Sequence, residues 1–262
     1  MFDFVFDIPL LIAGPLLVVV IGSLAALGLR FARRRVLPGL RLSEADGVFV
    51  STMLLSIMVF YGLTVALIAI SAWERYSEAS RVVSQEASSL AVLYRDVSAY
   101  PEPVGSGLRE ALRGYTEHVI RVAWPEQQKG QVPLGGVDRM YAFERTLMGF
   151  EPSTEGQKIL HAETLRDHSL MIEARRNRLD AVESALPGLM WAVTLLGAAL
   201  GLIGSYFFRV EDPRLHTILV VLLATFTAIV IFVVLAFDRP FQGDMGIGSG
   251  PYELVYEHLM KP

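Results

Sequence analysis

The chain has 262 residues, of which 53% are hydrophobic, and its mean hydropathy of +0.45 is too high for an ordinary soluble domain. Its 19% of charged residues is too high for a protein made only of membrane spans, so apolar and charged segments must be separated along the chain. A net charge of −4 gives no basic surface for nucleic acid, and the lack of cysteine excludes disulfides and thiolate chemistry.

The first predicted element is a membrane span at residues 8–29. This stretch contains no charged residue. At about 1.5 Å per residue it is long enough to cross a hydrocarbon core about 30 Å thick. A run of arginines follows it, at Arg30, Arg33, Arg34 and Arg35.

The second predicted element is one long helix over residues 47–99. The stretch contains no proline and no glycine after Gly62, and it changes from an apolar to a charged, amphipathic sequence at Trp73. A helix of this kind would cross the membrane up to about Trp73 and continue into water.

Six residues of the second span recur at spacings of three and four and therefore share one face of the helix, namely Thr52, Ser56, Phe60, Thr64, Leu67 and Ser71. Such a face could line a narrow pore, in which apolar constrictions gate by dewetting and hydroxyl dipoles contact an anion. Alternatively, the Ser and Thr side chains hydrogen-bond to neighbouring membrane helices. The spacing leaves both interpretations open.

Residues 74–186 form a polar block that is large enough for a soluble helical domain. Within it we predict a helix that Ser106 caps and that stops at Trp124-Pro125. A short helix follows, with Met140, Phe143, Leu147 and Phe150 on one face. Thr154 and Gln157 resemble a capping box that opens a long helix. No alternating strand pattern is present, so we expect an all-α fold.

The long helix after Thr154 is predicted to bury Leu165, Ile172, Leu179, Val182 and Leu186. We expect its polar residues, including His168, Arg175, Arg176 and Arg178, on a solvated face, with anion or lipid-headgroup contact as an alternative role for the arginines. The chain shows no phosphate loop, metal motif or nucleophile paired with a base. We therefore expect no cofactor, no metal and no enzymatic activity.

Two further spans are predicted at residues 187–208 and 215–237, joined by a short turn as an antiparallel hairpin. Gly197, Gly201 and Ser205 recur every four residues and form a small-residue face that allows close helix packing. The predicted organisation has four parts: two spans in 1–73, a soluble helical domain in 74–186, the hairpin in 187–237, and a C-terminal segment in 238–262.

After the fourth span the sequence reads Asp238-Arg239-Pro240-Phe241-Gln242-Gly243. With these residues and the segments 86–87, 113–115, 117–125 and 176–179, the chain resembles the bestrophin-like family of bacterial membrane proteins. That family is distantly similar to bestrophin anion channels, in which Asn-Pro-Phe-Gly follows the last span. The resemblance implies a homo-oligomer, expected to be a pentamer, that conducts small anions such as chloride through a pore lined by the second span. It also implies a location in the inner membrane with the soluble domain in the cytoplasm. The Lys and Arg residues near the span ends are distributed almost evenly between the two sides, so charge alone does not determine the orientation.

Three further points accompany the resemblance. Asp238 and Arg239 are interpreted as an ion pair or capping pair at the lipid boundary, or as residues that hold the Pro-Phe turn at a pore entrance. Asp244 stands alone where bestrophins have an acidic run, so we expect no calcium site. The rival function is a non-conducting membrane scaffold or sensor whose soluble domain recruits a partner.

Overall fold

The computed structural model describes residues 8–39, 44–133, 135–208 and 210–261, and these residues contain helices and turns but no strand. The all-α class is therefore confirmed. The helices are α1 (Leu10–Phe31), α2 (Glu44–Ser98), α3 (Val104–His118), α4 (Trp124–Gln127), α5 (Gly136–Met148), α6 (Glu155–Val182), α7 (Gly188–Ser205), α8 (Pro213–Asp238) and α9 (Gly250–Val255).

Four of the described helices are long and apolar enough to cross a membrane. The candidate membrane spans begin at Leu11, Gly47, Gly188 and Pro213. The second of them, α2, is a single helix of 55 residues, as predicted, because no proline or late glycine interrupts it. At about 1.5 Å per residue it is roughly 80 Å long, far more than a bilayer requires.

The described chain divides into two compact units. The first comprises the residues up to Glu74 together with Ala185–Asp238, and the second comprises Arg75–Ser184 together with the residues from Arg239 onward. Helix α2 contributes its apolar half to the first unit and its charged half to the second.

The first unit is a layer of apolar helices. Helix α1 packs against α8, with Gly14 against the ring of Phe232, and it also contacts α7. The apolar half of α2 packs on α7 and α8 around buried residues that include Ile68, Ala72, Leu186, Trp191, Ile231 and Val234. These side chains form the core of the unit.

The second unit has a large core of its own. It is built from the charged half of α2, from α3 to α6 and from the C-terminal segment, around Val83, Leu90, Leu112, Phe143, Met171, Phe241 and Tyr252. The predicted helix after the loop at 129–136 is confirmed as α5, and three of its four predicted core residues, Met140, Phe143 and Leu147, are buried.

Two predicted helix ends in the second unit are wrong. Helix α3 begins at Val104, so Ser106 lies in its first turn and does not cap it. The free backbone N–H of Ser106 donates to the Glu102 carboxylate at 3.0 Å. The predicted stop at Trp124-Pro125 is also wrong, since a π turn at Val119–Ala123 leads directly into α4. Pro125 is tolerated there because it lies in the first turn of α4, where no backbone N–H is needed.

The predicted start of α6 is confirmed, since the Thr154 hydroxyl accepts a hydrogen bond from the Gln157 N–H at 3.2 Å. Its predicted core face is only partly correct, because Val182 and Leu186 are buried whereas Leu165, Ile172 and Leu179 are half-buried. The buried positions of α6 are Thr164, His168, Met171, Ala174, Arg178 and Val182. This face contains polar side chains that find partners inside the unit, and hydrophobic spacing alone does not detect such residues.

Candidate functional site

The apolar half of α2 packs through one side of the helix only. Its buried residues there are Leu54, Val65, Ile68 and Ala72. The neighbouring Tyr61 donates its hydroxyl hydrogen bond to the Thr194 carbonyl of α7 at 3.1 Å. These contacts fix which side of α2 faces the other helices of its unit.

Glycines of α7 make this close approach possible. Gly197 lies against the ring of Tyr61, Gly201 against Met58 and Gly204 against Leu54, so that an added Cβ would be within 2.5 Å of a side-chain atom at each position. Sequence reasoning missed Gly204. Ser205, the third residue of the predicted small-residue face, instead donates its hydroxyl to the Leu202 carbonyl.

The predicted pore-lining residues lie on another side of α2. Thr52, Ser56, Phe60, Thr64 and Leu67 are exposed in the single chain, and Ser71 is half-buried. At about 100° per residue, the middle of this set lies about 130° around the helix from the middle of the packed face. The set therefore does not face α7 or α8, although other residues of α2, such as Leu55, are exposed as well.

The hydroxyl groups on this face donate to the backbone of α2 itself. Thr52 donates to the Val48 carbonyl at 2.9 Å, Ser56 to Thr52 at 3.1 Å, and Thr64 to Phe60 at 2.8 Å. Such a hydroxyl must break its hydrogen bond to the carbonyl before it can donate to an anion, and this cost weakens the binding of the anion. Weak contacts of this kind suit an ion that has to move on.

A second chemically distinctive feature is a buried ion pair in the second unit. The Arg178 guanidinium donates to the Glu86 carboxylate from Nε at 2.6 Å and from Nη2 at 3.3 Å, and both side chains are fully buried. Its Nη1 donates to Gln127 at 2.8 Å. Burial opposes the charge of Arg178, yet the Glu86 carboxylate keeps the pKa of Arg178 above its usual value.

Aromatic rings enclose this pair. The guanidinium carbon of Arg178 lies 5.8 Å from the ring centre of Trp124 and 5.7 Å from that of Tyr252, within cation–π range. The Tyr115 hydroxyl donates to Glu86 at 2.7 Å. Burial, and then the nearby Glu86 carboxylate, raise the pKa of Tyr115, so this phenol remains protonated. The side chains that contact the pair are themselves buried, as expected of a structural centre.

The positions of two polar residues differ from the sequence-based expectation. Arg178 is 1% exposed and His168 is 5% exposed, whereas both were expected on a solvated face. The signal for Arg178 was available, because Met171, Ala174, Arg178 and Val182 follow a spacing of three, four and four. The partners Glu86 and Gln127 carry no comparable pattern.

Asp238, at the end of α8, forms hydrogen bonds that the sequence-based interpretations of this residue did not include. Its carboxylate is buried and accepts hydrogen bonds from the Leu186 N–H at 2.7 Å and from the Trp191 indole N–H at 3.1 Å. It therefore connects the end of α8 to the segment that leads into α7.

The rest of the turn after α8 is ordered within the second unit. Phe241 is buried, with its ring 5.9 Å from that of Trp124. Pro240 accepts a hydrogen bond from the Ile247 N–H at 2.8 Å, and the Ile247 carbonyl accepts one from the Trp124 indole at 3.1 Å. Gly243 has a φ of 72°, a conformation that a residue with a Cβ rarely adopts.

Within residues 8–39, 44–133, 135–208 and 210–261, no group of three or more His, Asp or Glu side chains is arranged to hold a metal. The described residues thus offer two features for function: the exposed, hydroxyl-bearing face of α2 and the turn that follows α8.

The family comparison adds to these features. A model of the bestrophin-like domain matches residues 20–252, most of the chain. The chain belongs to the bestrophin-like family. This bestrophin-like protein has no match among the curated proteins or the solved structures with which it was compared. The matched region includes the face of α2, the glycines of α7, the Glu86–Arg178 pair and the turn after α8, so all of them lie within the bestrophin-like domain.

Proposed function

We propose that this protein is an oligomeric anion channel whose pore is lined by α2. The observation that carries the proposal is the position of the predicted pore face. Thr52, Ser56, Phe60, Thr64 and Leu67 are exposed and point away from the α7-packed side of the same helix. A second copy of the chain can therefore approach this face, and copies arranged around an axis would enclose it.

The chemistry of this face favours a small anion over a cation. It contains hydroxyls and apolar side chains, and no carboxylate is present between Gly47 and Trp73 that would attract cations. In this arrangement Phe60 and Leu67 form the constrictions. The same absence of carboxylates argues against a proton-coupled transporter, which usually has an acidic residue within the membrane.

The proposal also includes a topology. The four apolar helices each cross the inner membrane, and the second unit lies in the cytoplasm as the extension of α2. The turn at Arg239–Gly243 then belongs to the cytoplasmic part of the channel. Protease protection of right-side-out and inverted vesicles would test this orientation, because sites in the second unit should be cut only in inverted vesicles.

Chloride flux from liposomes tests conduction directly. The purified full-length protein is reconstituted with chloride inside and an impermeant anion outside, and efflux is followed with an electrode after the charge is balanced by a potassium ionophore. We expect efflux above that of protein-free liposomes. A stable oligomer without efflux would overturn the proposal and favour the non-conducting scaffold or sensor.

A further inference from the structure

The four arginines after the first span are divided between two environments. Arg33 points inward, where its Nη2 donates to His216 Nδ1 at 3.0 Å and to the Val210 carbonyl at 3.3 Å. Arg30, Arg34 and Arg35 are exposed and form no ion pair with any other residue that the structure describes. Residues 8–39 contain no Asp or Glu that could neutralise them.

The exposed arginines line a shallow cavity of about 670 Å³ together with two apolar residues. Its walls are Leu27, Arg30, Phe31, Arg34 and Arg35. Leu27 is 63% exposed and Phe31 is 64% exposed, so the same surface combines exposed apolar groups with positive charge.

A π turn at Ala32–Val36 brings these residues together. Its hydrogen bonds close over five residues instead of four, so each residue advances by a smaller angle than in an α-helix. Along this path Arg34 and Arg35 follow Arg30 and Phe31 by about one turn, and Arg33 lies about 90° around the helix from Arg34, on the side toward His216. Arg33 therefore has partners within the unit, whereas Arg30, Arg34 and Arg35 face the surface.

With α1 crossing the bilayer from Leu10, the cavity would lie at the level of the phospholipid phosphates. Arg30 is 20 residues beyond Leu10, about 30 Å along a helix, which equals the thickness of a hydrocarbon core. Leu27 lies about one turn inside that boundary, and Arg34 lies about one turn outside it. Guanidinium groups bind phosphate oxygens through two parallel hydrogen bonds, and an apolar surface just below suits an acyl chain.

We propose that Arg30, Arg34 and Arg35 bind the phosphate of an anionic phospholipid whose acyl chain lies along Leu27 and Phe31. The site needs only that α1 crosses the bilayer, so it does not depend on whether the protein conducts. Three guanidinium groups at one cavity match a net negative headgroup better than a zwitterionic one, which predicts selectivity for phosphatidylglycerol over phosphatidylcholine.

Native mass spectrometry of the purified full-length protein tests this site. The protein is titrated with phosphatidylglycerol or phosphatidylcholine, and the bound lipid is counted. We expect phosphatidylglycerol to bind at least about tenfold more tightly, and the variant Arg30→Gln/Arg34→Gln/Arg35→Gln to reduce this preference to about twofold or less. An unchanged preference in the variant would overturn the site.

A matched control separates the site from net charge. Arg95→Gln/Arg145→Gln/Arg176→Gln removes the same charge from exposed positions of the second unit and should keep the preference. If this variant abolishes the preference, the effect is non-specific and the proposal fails.

Millimolar inorganic phosphate should not displace the lipid, since displacement would identify a site for free anions. If the Gln variant does not fold, the corresponding Arg→Lys variant should bind more weakly, because Lys lacks the two parallel donors; unchanged binding there would also contradict the proposal.

Discussion

Arg178 and Glu86 form a fully buried ion pair, with Arg178 Nε 2.6 Å from Glu86 Oε2. Ninety-two positions separate them in the chain, so their pairing connects the charged half of α2 to α6. Removing one partner leaves an uncompensated charge in the core of the second unit. Breaking the pair is therefore expected to destabilise that core strongly.

We expect Arg178→Met to lower the free energy of unfolding by about 3–5 kcal/mol, because Glu86 would lose its counter-charge. Glu86→Gln should cost a similar amount, whereas the double variant should be more stable than the sum of the two losses indicates. Thermal unfolding of the detergent-purified protein measures both effects. Additive losses would show that the two side chains do not interact.

The helices were predictable because their signals are local. The single helix from Glu44 to Ser98 follows from the absence of proline, and the start of α6 follows from the Thr154–Gln157 pair. The all-α class needed no tertiary information, because strands would have left an alternating pattern.

The interior of the second unit was less predictable because its polar contacts join distant segments. Glu86, Gln127 and Arg178 lie on three helices, and nothing local marks them as partners. The role of Asp238 was hidden for the same reason, since its donors are Leu186 and Trp191, about fifty residues earlier. The pore face of α2 stays a prediction, because a pore on an axis between copies involves chains outside the single protomer.

Gly197 should not tolerate a larger side chain. A Cβ at this position would lie 2.3 Å from the Tyr61 ring, which is held by its hydrogen bond to Thr194. We expect Gly197→Ala to lower the free energy of unfolding by about 1–3 kcal/mol through overpacking. Gly188→Ala, on the same helix but with open space around it, is the matched control and should be nearly neutral. Equal melting temperatures for the two variants would contradict this packing.

Asp238 should stabilise the folded protein by accepting hydrogen bonds from two donors. Asp238→Ala leaves the Leu186 N–H and the Trp191 indole N–H without their acceptor, at a cost of about 1–3 kcal/mol for each buried group. Asp238→Asn keeps one acceptor oxygen and should cost less. Thermal unfolding monitored by tryptophan fluorescence gives the order of stability, and an Asn variant as unstable as the Ala variant would point to charge instead of hydrogen bonding.

His168 should make the stability of the second unit depend on pH. It is buried against Phe143 with ring centres 5.5 Å apart, and burial lowers its pKa against a smaller opposing effect of Glu144. The unfolded chain, with a histidine pKa of about 6.5, therefore binds a proton before the folded chain does. The folded state must lose stability as pH falls from about 7 through 6.5, until the lowered pKa is reached.

His168→Leu should reduce this loss, because leucine does not titrate. His258→Leu changes an exposed histidine and is the matched control. Melting temperatures at several pH values between about 7.5 and 5 measure the slopes. The His168 variant should show the flatter profile, and parallel profiles for both variants and the original protein would assign the pH dependence elsewhere. The slope that remains should combine His118, whose pKa is lowered first by burial and then by Arg139, with Asp96, whose pKa is raised to about 6 by burial and then by Asp167 and whose effect on stability has the opposite sign.

Phe60 provides the sharpest test of the pore. Its side chain is 71% exposed on the hydroxyl-bearing face, and Leu55, at 67%, lies about 140° away around α2. If α2 lines the pore, Phe60→Ala widens an apolar constriction and should raise single-channel conductance in planar bilayers by at least about twofold. Leu55→Ala removes a similarly exposed side chain from outside the predicted face and should leave conductance unchanged. A larger effect at Leu55 than at Phe60 would place another face of α2 on the axis, whereas an effect at neither would remove α2 from the constriction.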